Sequence, residues 1–211
     1  MVDIANEHDG TTPATAGPIL RPARWPDTGA ALPDSTSPVA PWATTSPSRS
    51  ATAARYLLAG IRLALGWIFL WAFLDKMFGL GHETAAAKSW LNGGSPTKGF
   101  LGSAAEGPFA GFYHSIAGAG VIDVLFMATL LGVGVALILG IGMRLAAGAG
   151  ALLTVMMWTA VLPPASNPFL DDHLIYAAVL IVLALLGAGN TLGLGRAWSS
   201  LPLVRRATWL K

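Results

Sequence analysis

Residues 57–78 read LLAGIRLALGWIFLWAFLDKMF, a run of twenty-two in which only Arg62, Asp75 and Lys76 carry charge. At a rise of about 1.5 Å per residue, a helix of this length crosses the roughly 30 Å hydrocarbon core of a bilayer. Apolar and polar residues do not alternate, and an open sheet edge has no partner for its amides in lipid, so the run selects helix. Three further runs of the same kind follow at about 121–142, 145–162 and 174–192. The expected fold is therefore an all-α integral membrane protein, a four-transmembrane-helix bundle. Gly79 and Gly81 close the first helix, and Pro163, Pro164 and Pro168 interrupt the chain before the last one.

Composition agrees with lipid as the solvent. Of 211 residues 54% are hydrophobic and 11% charged, and the mean hydropathy is +0.58, more apolar than a soluble core of this size requires. There is no cysteine, which excludes disulfides, thiolate metal sites, iron–sulfur clusters and a catalytic thiol. The net charge of +2 implies no nucleic-acid partner. Residues 1–50 hold eight of the fourteen prolines and show no apolar period; they read as a disordered cytoplasmic tail. The early charges are not followed by an apolar run of about 7–15 residues, so a secretory signal is a poor reading. Residues 51–200 form the expected membrane domain and 201–211 a basic cytoplasmic end.

Orientation follows from Lys and Arg near the span ends. One side carries Arg49, Arg55, Arg144, Arg196, Arg205, Arg206 and Lys211; the other carries Lys76, Lys88 and Lys98 among Asp75, Glu83, Glu106, Asp123, Asp171 and Asp172. The first side is cytoplasmic on this rule, with both chain ends, and the second external. The first external loop is then about 40 residues long, unusual for a structureless connection. Within it Phe109, Phe112, Tyr113 and Ile116 share one helical face, a short amphipathic helix lying on the outer leaflet or dipping between the spans. Gly132, Ala136 and Gly140, and likewise Ala146, Gly150 and Thr154, follow the small-xxx-small spacing of closely packed membrane helices.

Ionisable residues inside spans call for an explanation. Arg62 lies about five residues into the first helix, close enough to snorkel to the inner headgroups or to bind an anionic lipid; otherwise it faces the bundle and donates to a ligand. At the outer level the helix ends bring Asp75, Lys76, Asp123, Asp171, Asp172 and His173 together. Helix capping accounts for the aspartates as well as a site does, a Lys76 pair with Asp171 or Asp172 reads equally as a staple, and His173 suits proton transfer. Trp71, Phe73, Phe78, Phe126, Trp158 and Tyr176 surround the same level, as an interfacial aromatic belt or as a stacking surface for a flat ring. The histidines are at His8, His82, His114 and His173, none deep in a span, so no haem ligation is expected. No metal constellation or nucleotide-binding loop is present either.

The stretch from Arg62 through Gly66, Trp67 and Phe69 to Trp71, Asp75, Lys76 and Gly79 resembles the opening helix of the DoxX/DoxD membrane proteins. The run Asn167-Pro-Phe-Leu-Asp171-Asp172-His173, continuing through Tyr176, Gly187, Gly189, Gly193, Gly195, Arg196 and Trp198, is similar to the same family. The likeness covers about residues 55–200. It implies a four-helix subunit in a prokaryotic plasma membrane and, for the DoxD branch, a role in thiosulfate:quinone oxidoreductase, oxidising thiosulfate to tetrathionate and reducing quinone. A small partner subunit is implied with it, and an oligomer is left open. On that reading Lys76, Asp172 and His173 are the catalytic candidates, and Arg62, Trp71, Trp158 and Tyr176 the quinone-binding ones. External acids outnumber external lysines, which disfavours dianion binding by this chain alone. A non-catalytic scaffold or assembly factor for a redox complex, and a small-solute transporter, are the competing classes; a transporter would be favoured by broken helices and inverted repeats.

If lipid is the stabilising medium, alkaline carbonate washing leaves the full-length chain in the membrane pellet. Release into the supernatant would overturn the reading.

Overall fold

The computed structural model describes residues 48–165 and 167–210. The tail expected over 1–50 lies outside these residues apart from its last three, of which Arg49 and Ser50 are already helical.

The first helix, α1 (Arg49–Phe78), starts where Ser48 Oγ accepts the Ala51 amide at 3.2 Å. It ends at Gly79, whose positive φ of 68° lets its amide reach the Asp75 carbonyl. Its start at Arg49 is eight residues earlier than the apolar run begins at Leu57, because the Ala-rich stretch before Leu57 propagates the helix. Thirty residues make about 45 Å of helix, longer than the membrane core alone needs. Next come α2 (Ala110–Ile116), α3 (Gly120–Leu139) and α4 (Met143–Ala160). Gly140 and Gly142, with φ of 71° and 55°, turn the chain between α3 and α4.

The fourth apolar run departs from expectation. Helix α5 covers Asp172–Leu185, about 21 Å, and does not continue to residue 192. Gly187 at φ 62° stops it, Ala188–Asn190 form a single tight turn, and the Leu194 amide returns to the Leu139 carbonyl at 2.8 Å. Two short helices, α6 (Gly195–Ser200) and α7 (Pro202–Arg206), follow. All elements among the described residues are helices or helical turns. Three helices, α1, α3 and α4, are long and apolar enough to cross a membrane; α5 is apolar but shorter.

Helix α1 packs chiefly on α3, α4 chiefly on α5, and α3 joins the two pairs through its contact with α4. Leu65, Phe69, Met127, Leu130, Val133, Leu137, Leu180 and Leu183 fill the space between them. Close approach depends on glycine at two crossings. A Cβ on Gly134 would lie 2.8 Å from the Leu70 amide nitrogen of α1, and one on Gly150 would lie 2.8 Å from Leu180 of α5. Of the expected α3 stripe, Gly140 is tightly packed against Arg62 and Gly189, whereas Gly132 faces open space and Gly134 makes the crossing with α1. Outside this core Leu57, Trp67, Leu125, Leu152, Ile181 and Leu185 are exposed, an apolar surface larger than water tolerates on a monomer and suited to acyl chains.

The long connection after α1 is structured. It makes single turns at Ala86–Lys88, Trp90–Asn92, Phe100–Ala104 and Gly107–Phe109 before α2. Tyr113 is the buried anchor of α2, its hydroxyl bonded to the Met156 carbonyl at 3.0 Å and to Thr159. Phe109 and Phe112 remain exposed.

The two glycines of α3 give a matched test. Gly134→Ala lowers stability by about 1–3 kcal/mol through overpacking, whereas Gly132→Ala is neutral or raises it by up to about 1 kcal/mol through helix propensity. Thermal unfolding of the detergent-solubilised protein reads the difference, and equal effects would refute the crossing.

Candidate functional site

Charge is segregated between the two ends of the helices. Between residues 48 and 210 the six acids, Asp75, Glu83, Glu106, Asp123, Asp171 and Asp172, lie at or beyond one set of helix ends, and the seven arginines toward the other.

At the arginine end Arg62 is fully buried. Its Nη1 donates to the Leu137 and Ile138 carbonyls and its Nη2 to those of Thr191, at 3.3 Å, and Leu192, at 2.8 Å. The first two belong to the last turn of α3, where helical carbonyls have no partner within the helix and the dipole is negative. Leu192 adopts φ 49°, a left-handed backbone that a non-glycine residue holds only when its surroundings enforce it. Arg62 therefore does not snorkel, and its terminal nitrogens are not directed at a ligand. It ties α1 to α3 and to the segment after α5. Four carbonyls rather than a carboxylate accept from its two terminal nitrogens, and Nε is left without a partner.

At the acidic end the organising residue is Asp75, 2% exposed. Its carboxylate accepts the backbone amides of His82, Glu83 and Thr84 at 3.2, 3.1 and 2.8 Å. This folds the chain after α1 back along the helix and sets His82 against Trp71, edge to face, with ring centroids 5.1 Å apart. Trp67 lies one turn away, 5.7 Å from Trp71. A cleft of about 530 Å³ results. Its walls are Trp67, Ile68, Trp71 and Ala72, and its polar rim is Asp75, His82 and Glu83. Both Trp67 and Ile68 belong to the exposed apolar surface. Such a cleft takes a flat apolar ring carrying polar groups on its edge, entering along the apolar surface.

Of the residues expected at the site, Trp71 lines this cleft and the others are placed elsewhere. Lys76 pairs with Glu83 at 3.2 Å and not with Asp171 or Asp172; Glu83 is 81% exposed, so the pair contributes little. Asp171 caps α5, accepting the Leu174 amide, and holds His173 Nδ1 at 2.7 Å. Asp172 is exposed beside them, 3.5 Å from the same nitrogen. Trp158 donates to the Phe169 carbonyl at 2.8 Å and stacks edge-on with Phe169, while Tyr176 packs on the main core. Asp123 is not a helix cap: it accepts Ser95 Oγ and both the amide and hydroxyl of Thr97, anchoring the long connection to α3. His82, Glu83 and the structural role of Asp75 were not singled out from sequence. The usable signal was an aspartate one turn before two glycines, Gly79 and Gly81, both at positive φ.

No protein-family model, curated protein or solved structure matches the chain.

Removing the Asp75 acceptor leaves three amides without a partner, each costing about 1–3 kcal/mol where water cannot replace it. Asp75→Ala therefore loosens residues 82–84, and cleavage after Glu83 by a glutamyl endopeptidase accelerates severalfold. Asp75→Asn, keeping one acceptor oxygen, falls between. Unchanged cleavage in Asp75→Ala would contradict the folding-back role.

Proposed function

We propose that the chain is the quinone-interacting membrane subunit of a redox complex of DoxX/DoxD type, with the Trp67–Trp71–His82 cleft as its quinone site. In this reading the short apolar helix α5 (Asp172–Leu185) is the fourth membrane helix of a four-helix bundle in a prokaryotic plasma membrane. Both chain ends are cytoplasmic, as the arginine distribution favours. The observation that carries the proposal is the cleft: two tryptophans at the lipid-facing surface, with an imidazole and a carboxylate at the polar rim.

Quinone supplies two-electron, two-proton chemistry when bound. The residues of this chain do the rest. Trp67 and Trp71 offer flat apolar faces that orient a ring, and Asp75 fixes the backbone of residues 82–84 so that His82 keeps its place against Trp71. His82 stands exposed at the rim, where an imidazole can pass protons between a bound ring and the medium. Glu83 is the second rim group and is exposed to solvent. Electrons from thiosulfate, the donor that the family resemblance implies, require the small partner subunit, since the acids at this end repel a dianion.

A scaffold or assembly role for a redox complex is the second reading. It is favoured by the employment of Arg62, Asp75 and Asp123 in holding helices and connections together. One set of experiments separates the two. The purified protein in a quinone-containing nanodisc is labelled with a photoreactive quinone, and thiosulfate-dependent quinone reduction is followed with and without co-purifying partners. The expected outcome is label within residues 67–83, and affinity weakened roughly tenfold by Trp71→Ala, the loss of one aromatic face. Absence of label there, with no turnover in either condition, would leave the scaffold.

A further inference from the structure

The second cleft lies at the arginine end and is independent of the quinone reading. It has a volume of about 270 Å³ and is bounded by Arg55 and Leu58 of α1, the turn Leu186–Thr191 after α5, and Arg196 of α6. Neither guanidinium has an acidic partner among the described residues, and the sequence holds no acid from 35 to 74 or from 173 to the end. Two like charges share one small cleft with no acidic partner among the described residues. That arrangement favours an anion.

We propose that this cleft binds the phosphate headgroup of an anionic phospholipid, held between Arg55 and Arg196. Two observations select a lipid phosphate over a free one. Leu58 and Leu186 form the apolar part of the wall, and Leu186 is 61% exposed, so acyl chains continue from the cleft onto the lipid-facing surface. Arg55 precedes Tyr56 and Leu57, which are exposed apolar residues, and so stands where the apolar band begins; this is headgroup level. The wall is also preformed: Arg62 grips the Thr191 and Leu192 carbonyls, so the turn opposite Arg55 does not have to be ordered on binding. Asn190 and Thr191 add polar groups beside the two arginines. Arginine suits the role because its planar fork offers paired donors to phosphate oxygens.

The test uses full-length protein in a mild detergent, with phosphatidylglycerol and phosphatidylcholine added in equal amounts and adducts read by native mass spectrometry. Wild type retains phosphatidylglycerol in preference. Arg55→Gln/Arg196→Gln loses the preference roughly tenfold or more, the effect of removing two cations from one phosphate, while Arg205→Gln/Arg206→Gln at the same end keeps it. Equal retention by the first variant, or equal loss by the second, would overturn the site in favour of none or of diffuse charge. Displacement of the lipid by millimolar inorganic phosphate would identify a free-anion site instead. Should the first variant fail to fold, a diazirine-bearing phosphatidylglycerol on wild type decides the matter: cross-links to the peptides around Leu58 and Leu186 support the site, and cross-links elsewhere only refute it.

Discussion

A buried guanidinium surrounded by carbonyl oxygens holds this molecule together at its arginine end. Arg62 gathers the final turn of α3 and the backbone after α5 around one point on α1. Removing an Arg from water is costly, so the site is tolerable only because the last turn of α3 and the backbone at Thr191 and Leu192 turn carbonyl acceptors toward it. The same contact explains why α5 stops where it does. Residues 188–193 cannot both continue a helix and turn their carbonyls toward Arg62; Gly187 and the left-handed Leu192 resolve the conflict in favour of the latter. Gly193 completes the fit, since a Cβ there would meet the guanidinium at 3.1 Å.

The opposite end solves a similar problem with the opposite charge. Asp75 and Asp123 are both nearly buried, and each collects donors from a nearby connection: three amides for Asp75, and two hydroxyls with one amide for Asp123. A carboxylate with several hydrogen bonds is a strong organiser of irregular backbone. Here it turns a connection of about forty residues, which would otherwise have many accessible conformations, into a cover over the helix ends. The cleft beside Trp71 is a by-product of that folding, since His82 and Glu83 reach the tryptophans only because Asp75 holds their amides. Structure and proposed chemistry therefore share one residue, Asp75, whose carboxylate oxygens are occupied by backbone amides.

Arginine at one end and carboxylate at the other also divides the candidate chemistry. The acidic end places an imidazole beside an aromatic wall, and the arginine end places two guanidinium groups around one cleft. Neither depends on the other, and α1 carries residues of both, some 20 positions apart from Arg55 to Asp75, or about 30 Å along the helix.

Helical class and the positions of three helices long and apolar enough to cross a membrane were legible in residues 57–78, 121–142 and 145–162, because hydropathy over some twenty residues is a local property. Polar residues worth watching were legible too: Arg62 and Asp75 stand out against their surroundings. What each does was not, since a hydrogen bond between Arg62 and Leu192 spans 130 residues and no local pattern encodes it. The end of α5, the offset of the packing glycine from Gly132 to Gly134, and the pairing of Lys76 with Glu83 rather than with Asp172 share that cause. Each was decided by which carbonyl, side chain or backbone lay across the interface, and only the assembled helices supply that partner.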